Sequence, residues 1–142
     1  VQSFGINTTT GSPQATGLTA TITPASSTSK ILVTARCQVS TNAGFGGTFL
    51  MFYRNGSILN GASGGTYNFP AGFYNGDPLA NTGNFDTTGV VITNYDSPAT
   101  TSAVTYTVYV AGVAGTSTLY LNRGSDNSCH YTSSITLMEI AG

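Results

Sequence analysis

The chain has 142 residues, a length that gives one domain with a core of ordinary size. Charged residues make up only 6 %, and four basic against five acidic side chains leave a net charge of −1. Phosphate backbones need clustered Lys and Arg, whereas Lys30, Arg36, Arg54 and Arg123 are scattered, so nucleic acid is excluded as a partner.

Ser and Thr take the place of the missing charge, with 24 Thr and 15 Ser. The hydrophobic content of 39 %, with eight Tyr and seven Phe, argues for a folded domain rather than a disordered one. No apolar run approaches the roughly 20 residues that span a bilayer, and no signal peptide is visible at the start. A surface wetted by hydroxyls and amides suits an extracellular or particle-surface protein.

No window has apolar residues at helical spacing, and Thr, Val, Tyr and Ile dominate the regular segments. An opening strand is expected over residues 1–8, followed by a connector to residue 16. Short and long strands follow at 18–23 and 30–40, separated by Pro24 and a Ser-rich turn. The next, 48–54, is joined by Asn55-Gly56 to residues 57–59, the strongest short-range hairpin signal.

Residues 60–88 break the rhythm, with six Gly and two Pro, and read as a long irregular loop. Strands resume at 89–95, 101–111, 116–122 and 133–140. About eight strands with punctuated turns and no helix predict an all-β antiparallel sandwich, with a jelly roll as the leading architecture.

Several of these strands are apolar on both faces. Phe49, Met51 and Tyr53 alternate with Leu50 and Phe52, and Ile135 and Leu137 alternate with Met138 and Ile140. A sheet with one wet face alternates cleanly, so these strands need cover on both sides. With no helix to supply it, another subunit is the natural cover. Leu50, Phe52, Met138 and Ile140 are therefore expected at an oligomer interface.

Signals for chemistry are sparse. His130 lies near Asp126 and Ser128, but one local loop is not how a catalytic triad is built. Glycoside hydrolysis needs two positioned carboxylates, and the spacing of Asp77, Asp86, Asp96, Asp126 and Glu139 supplies no such pair. Neither calcium nor zinc spacing is present, so no metal or cofactor is expected. Cys37, inside a β run, reads as a small buried apolar residue, with a disulfide to Cys129 as the alternative.

Asp96-Ser97-Pro98 reads as a turn in which the carboxylate caps backbone amides. Glu139 sits in an apolar strand, where an unpaired charge is costly, and Arg123 or Arg54 is its expected partner. Tyr67, Phe69, Phe73, Tyr74, Asn75, Asp77 and Phe85 form the candidate ligand-binding set of the 60–88 loop. Exposed aromatics with amides suit a saccharide or protein surface; folded inward, the same aromatics would anchor the loop.

Several segments in this order resemble a known family. They are Gly17–Pro24 (GLTATITP) continued by Ser26–Val33 (SSTSKILV), the Arg54-Asn55-Gly56-Ser57 hairpin, and Asp96-Ser97-Pro98 followed by Thr100–Tyr106. Leu119–Arg123 (LYLNR) and Ser133–Ile140 (SSITLMEI) complete the set. Together they resemble a domain of tailed-phage virion surface proteins, over residues 17–142 apart from 60–88.

The resemblance implies a homotrimeric β-sandwich head similar to the C1q and tumour-necrosis-factor jelly rolls. It also implies a place on the virion surface after assembly in the host cytoplasm, contact with other virion proteins and a host receptor or glycan, and no catalytic residues. A fibre head and a capsid-decorating protein are the two expected roles, with a carbohydrate-active enzyme as the third.

Overall fold

A computed structural model describes residues 4–7, 13–41, 48–59, 72–73, 88–112, 118–124 and 129–142. Ten strands run through them, and no helix occurs among the described residues. They are β1 (Phe4–Asn7), β2 (Gln14–Ile22), β3 (Lys30–Thr41), β4 (Thr48–Arg54) and β5 (Ser57–Ile58). Then come β6 (Gly72–Phe73), β7 (Thr88–Asp96), β8 (Val104–Gly112), β9 (Thr118–Leu121) and β10 (Ser134–Ile140).

Two antiparallel sheets result. In sheet I, β3 pairs β7 along one edge and β10 then β9 along the other, with β1 added to β9. Sheet II has the order β2-β8-β4-β5, with β6 also on β4. Three ribbons are nested along the chain: β4 with β5, β3 with β7, and β2 with β8. Ribbons nested in this way and split between two packed sheets make the jelly roll that the strand pattern predicts.

Alternation decides which side chains enter the core. On β3, Ile31, Val33, Ala35, Cys37 and Val39 point between the sheets and are buried. They meet Leu50 and Phe52 of β4 and Val104, Tyr106, Val108 and Val110 of β8. Each large aliphatic side chain so buried contributes about 1.5–3 kcal/mol.

Two details depart from the expected pattern. β2 begins at Gln14 rather than residue 18, because its pairing with β8 shifts between Ala15 and Thr19. Gly17 lies there at φ 77°, and the buried Thr16 hydroxyl donates to the Val108 carbonyl at 2.8 Å. An irregularity of this kind lets a strand continue past a local kink. β8 begins at Val104 rather than residue 101, since Ala99 has φ 53° and Thr100 Oγ1 accepts from the Ser102 amide.

The Asn55-Gly56 turn is as expected. Both residues have positive φ, 48° and 84°, the backbone that a two-residue hairpin of this twist requires.

Candidate functional site

Leu50 and Phe52 are not interface residues. They are 0 % and 2 % exposed in the single chain, packed between the two sheets. The other face of β4 is covered within the chain as well: Met51 is fully buried, and Tyr53 stacks on Tyr109 with ring centroids 3.8 Å apart. Two-faced apolar character here reflects intramolecular cover.

β10 behaves differently. Ile135 and Leu137 pack against the core, whereas Met138 is 56 % exposed on the outward face of sheet I. The register places Met138 beside Leu32 of β3, which in turn faces Tyr95 of β7. Tyr95 is 49 % exposed and Val91, four residues earlier on β7, is 62 % exposed. Ile140, half-buried, continues the row's β10 side next to Lys30.

This outer face is the best candidate site among the described residues. One row is apolar, Tyr95–Leu32–Met138, and the next is hydroxylic, Thr93–Thr34–Thr136. Thr34 and Thr93 approach to 3.4 Å between their hydroxyls. The exposed Lys30 and Arg36 flank these rows, and Lys30 Nζ lies 5.7 Å from the Tyr95 ring centroid. No carboxylate among the described residues stands on this face, because Asp96 and Glu139 alternate to the inner side. Solvent-exposed apolar groups concentrated on one sheet face mark an interaction surface.

Glu139 does not pair with Arg123. Its carboxylate accepts the Ala25 amide at 2.7 Å and bonds to the Ser29 hydroxyl, with a further bond from the Ser26 backbone. These bonds, the Ser29 hydroxyl foremost, hold its pKa below the usual carboxylate range. Arg123 lies at the other end of β3, where its carbonyl accepts the Ser40 hydroxyl and its guanidinium sits 4.1 Å over the Tyr120 ring. Glu139 is paired with Ile31, so the length of β3 from Ile31 to Ser40, about 30 Å at 3.3 Å per residue, separates the two.

The ion pair that forms is Arg54–Asp96. Arg54 Nη1 donates to both carboxylate oxygens, at 2.9 and 3.1 Å, and the Tyr106 hydroxyl donates to Oδ2 at 2.7 Å. Asp96 is thus the last residue of β7, turned between the sheets, and not a turn cap. Arg54 and Tyr106 are cross-strand partners on β4 and β8, which is why both reach the same carboxylate.

Neither cysteine is in a disulfide; Cys37 is buried and Cys129 exposed. His130 is exposed and forms an isolated bridge with Arg123. Asp126 and Ser128 fall outside the described residues, as do Tyr67, Phe69, Tyr74, Asn75, Asp77 and Phe85. Phe73 lies in β6, in register with Thr48 at the start of β4. No group of three His, Cys, Asp or Glu residues that could hold a metal occurs among the described residues.

No family model matches the chain, and no curated protein matches it either. What is established is the class: an all-β sandwich of two antiparallel sheets with the exposed apolar residues Val91, Tyr95 and Met138 on one sheet face.

Proposed function

We propose that the chain is a non-enzymatic structural module of a phage particle surface, a jelly-roll head that assembles as a homotrimer through the outer face of sheet I. The observation that carries this reading is the row of exposed Tyr95 and Met138 on either side of the half-buried Leu32, with exposed Val91 nearby, on a sheet face that also carries Thr34, Thr93, Thr136, Lys30 and Arg36. The ordered resemblance to virion surface proteins supports the particle setting, and the aromatic segment 60–88 would then face a host-surface glycan or receptor. Light scattering on the purified chain tests the assembly: a mass of three copies is expected, and a stable monomer overturns it.

A second reading is a capsid-decorating protein that seats the same face on the viral shell. Lys30 and Arg36 favour it, since copies packed through this face bring like charges together, whereas an acidic shell surface would pair them. Antibody labelling of intact particles under the electron microscope separates the two. Label on projecting fibres supports the head, and label spread over the shell supports decoration.

A further inference from the structure

The two ends of the sandwich are fastened by different chemistry. At the end where β3 begins, Ile31 is flanked in register by Asp96 on β7 and Glu139 on β10. Asp96 ties sheet I to sheet II through Arg54 of β4 and Tyr106 of β8. Glu139 ties β10 to the β2–β3 turn through Ala25 and Ser29. Gly142 also lies on that turn, so close that a Cβ there would collide with the Thr28 carbonyl oxygen.

At the opposite end, three hydrogen bonds among the described residues join neutral groups. The Gln38 amide donates to Ser133 Oγ, Ser133 Oγ donates to Asn122 Oδ1, and Ser40 donates to the Arg123 carbonyl. No carboxylate takes part in these bonds.

From this asymmetry we infer that the sandwich carries an acid-operated release at one end. Protonation of Glu139 lets the β2–β3 turn and the C-terminal half of β10 detach while the far end of β3 stays paired. A carboxyl that gains a proton becomes a donor and loses the charge that strengthened its bonds to amides and hydroxyls.

The sign follows from the bonds. Glu139 is held below its ordinary range in the folded chain. The stability it supplies is therefore present above its unfolded pKa and lost as pH falls through the lower, folded value. The other charged groups at this end are Arg54, which faces Asp96, and Lys30, which lies on the outer face over Tyr95. Tyr106 also faces Asp96, and residues 14–29 of β2 and the turn contribute no titratable side chain. The Glu139 carboxylate, bonded to the turn through Ala25 and Ser29, is therefore the moving part.

Hydrogen exchange read by mass spectrometry on the full chain tests this, at pH 7 and at pH 3, with protection factors corrected for intrinsic rate. Loss of protection is expected at pH 3 over residues 23–31 and 137–142, with 36–41 and 48–52 still protected. Glu139→Gln should reproduce the loss of protection over 23–31 and 137–142 at pH 7. Asp96→Asn should extend it to 94–96 and 104–106; should that variant not fold, Glu139→Gln carries the test alone. Protection lost equally at both ends in acid, or a Glu139→Gln protein that exchanges like the parent, overturns the inference.

Discussion

Tyr106 and Asp96 meet across the interior of the sandwich, the phenol on sheet II donating to the carboxylate on sheet I at 2.7 Å. The contact is buried on both sides, and it pushes the phenol pKa well up, first by burial and then by the neighbouring carboxylate. Tyr106→Phe removes one charge-assisted bond and leaves its acceptor buried. A loss of about 1.5–3 kcal/mol is expected, read from urea unfolding. In alkali, Tyr106 should stay protonated until the fold opens, so spectrophotometric titration should show its ionisation together with unfolding.

The apolar residues of β4 and β10 should separate cleanly on substitution. Phe52→Ala opens the core and should cost about 3–5 kcal/mol in denaturation. Met138→Lys places a charge on an already exposed position and should change stability by no more than about 0.5 kcal/mol. Its expected effect is instead on mass, from an assembly to a single copy by light scattering. A Met138→Lys protein with unchanged mass would remove the outer face of sheet I from the assembly.

Much of this was legible in the sequence. Period-two runs located the main strands, and Asn55-Gly56 located the hairpin, because both signals are local. What a run such as Thr48–Arg54 could not reveal is which chain covers its second face. Met51 is buried within the single chain, whereas Met138 with the same kind of pattern is not. The consecutive Val90, Val91 and Ile92 signal a strand apolar on both faces, but Tyr95, taken alone, is an ordinary strand residue; only the register with Leu32 and Arg36 gathers Tyr95 and Val91 on one face. The partners of Asp96 and Glu139 were misread for a related reason. Arg54 is 42 residues from Asp96, and Ala25 is 114 from Glu139, so no spacing rule reaches them.

Thiol chemistry should distinguish the two cysteines. Burial pushes the Cys37 pKa up to about 11, with the Ser133 hydrogen bond partly opposing it, so little thiolate forms at neutral pH. Cys129 is exposed. An aromatic disulfide reagent should therefore react with one thiol in the native protein and with two after denaturation. Equal masses before and after reduction are expected from the intact chain.

At the hairpin, Gly56→Ala meets no neighbouring atom within 4 Å, so its cost is confined to the backbone at φ 84°. About 1–2 kcal/mol of destabilisation is expected from unfolding curves. Asn55 has a second role, since its Oδ1 accepts the Thr105 amide at 2.9 Å. Asn55→Gly should thus relieve the backbone while losing that bond, and end near neutral or slightly destabilised.

The placement of β3 has a consequence for biosynthesis. Its first half waits for β10, roughly a hundred residues further along the chain, and its other edge waits for β7. During translation β3 leaves the ribosome with an apolar row and no partner on either side. Closure of such distant pairs is slow, in the millisecond-to-second range. The nascent chain therefore carries Ile31, Val33 and Leu32 uncovered until β7 and β10 have emerged, the interval in which a chaperone would act on it.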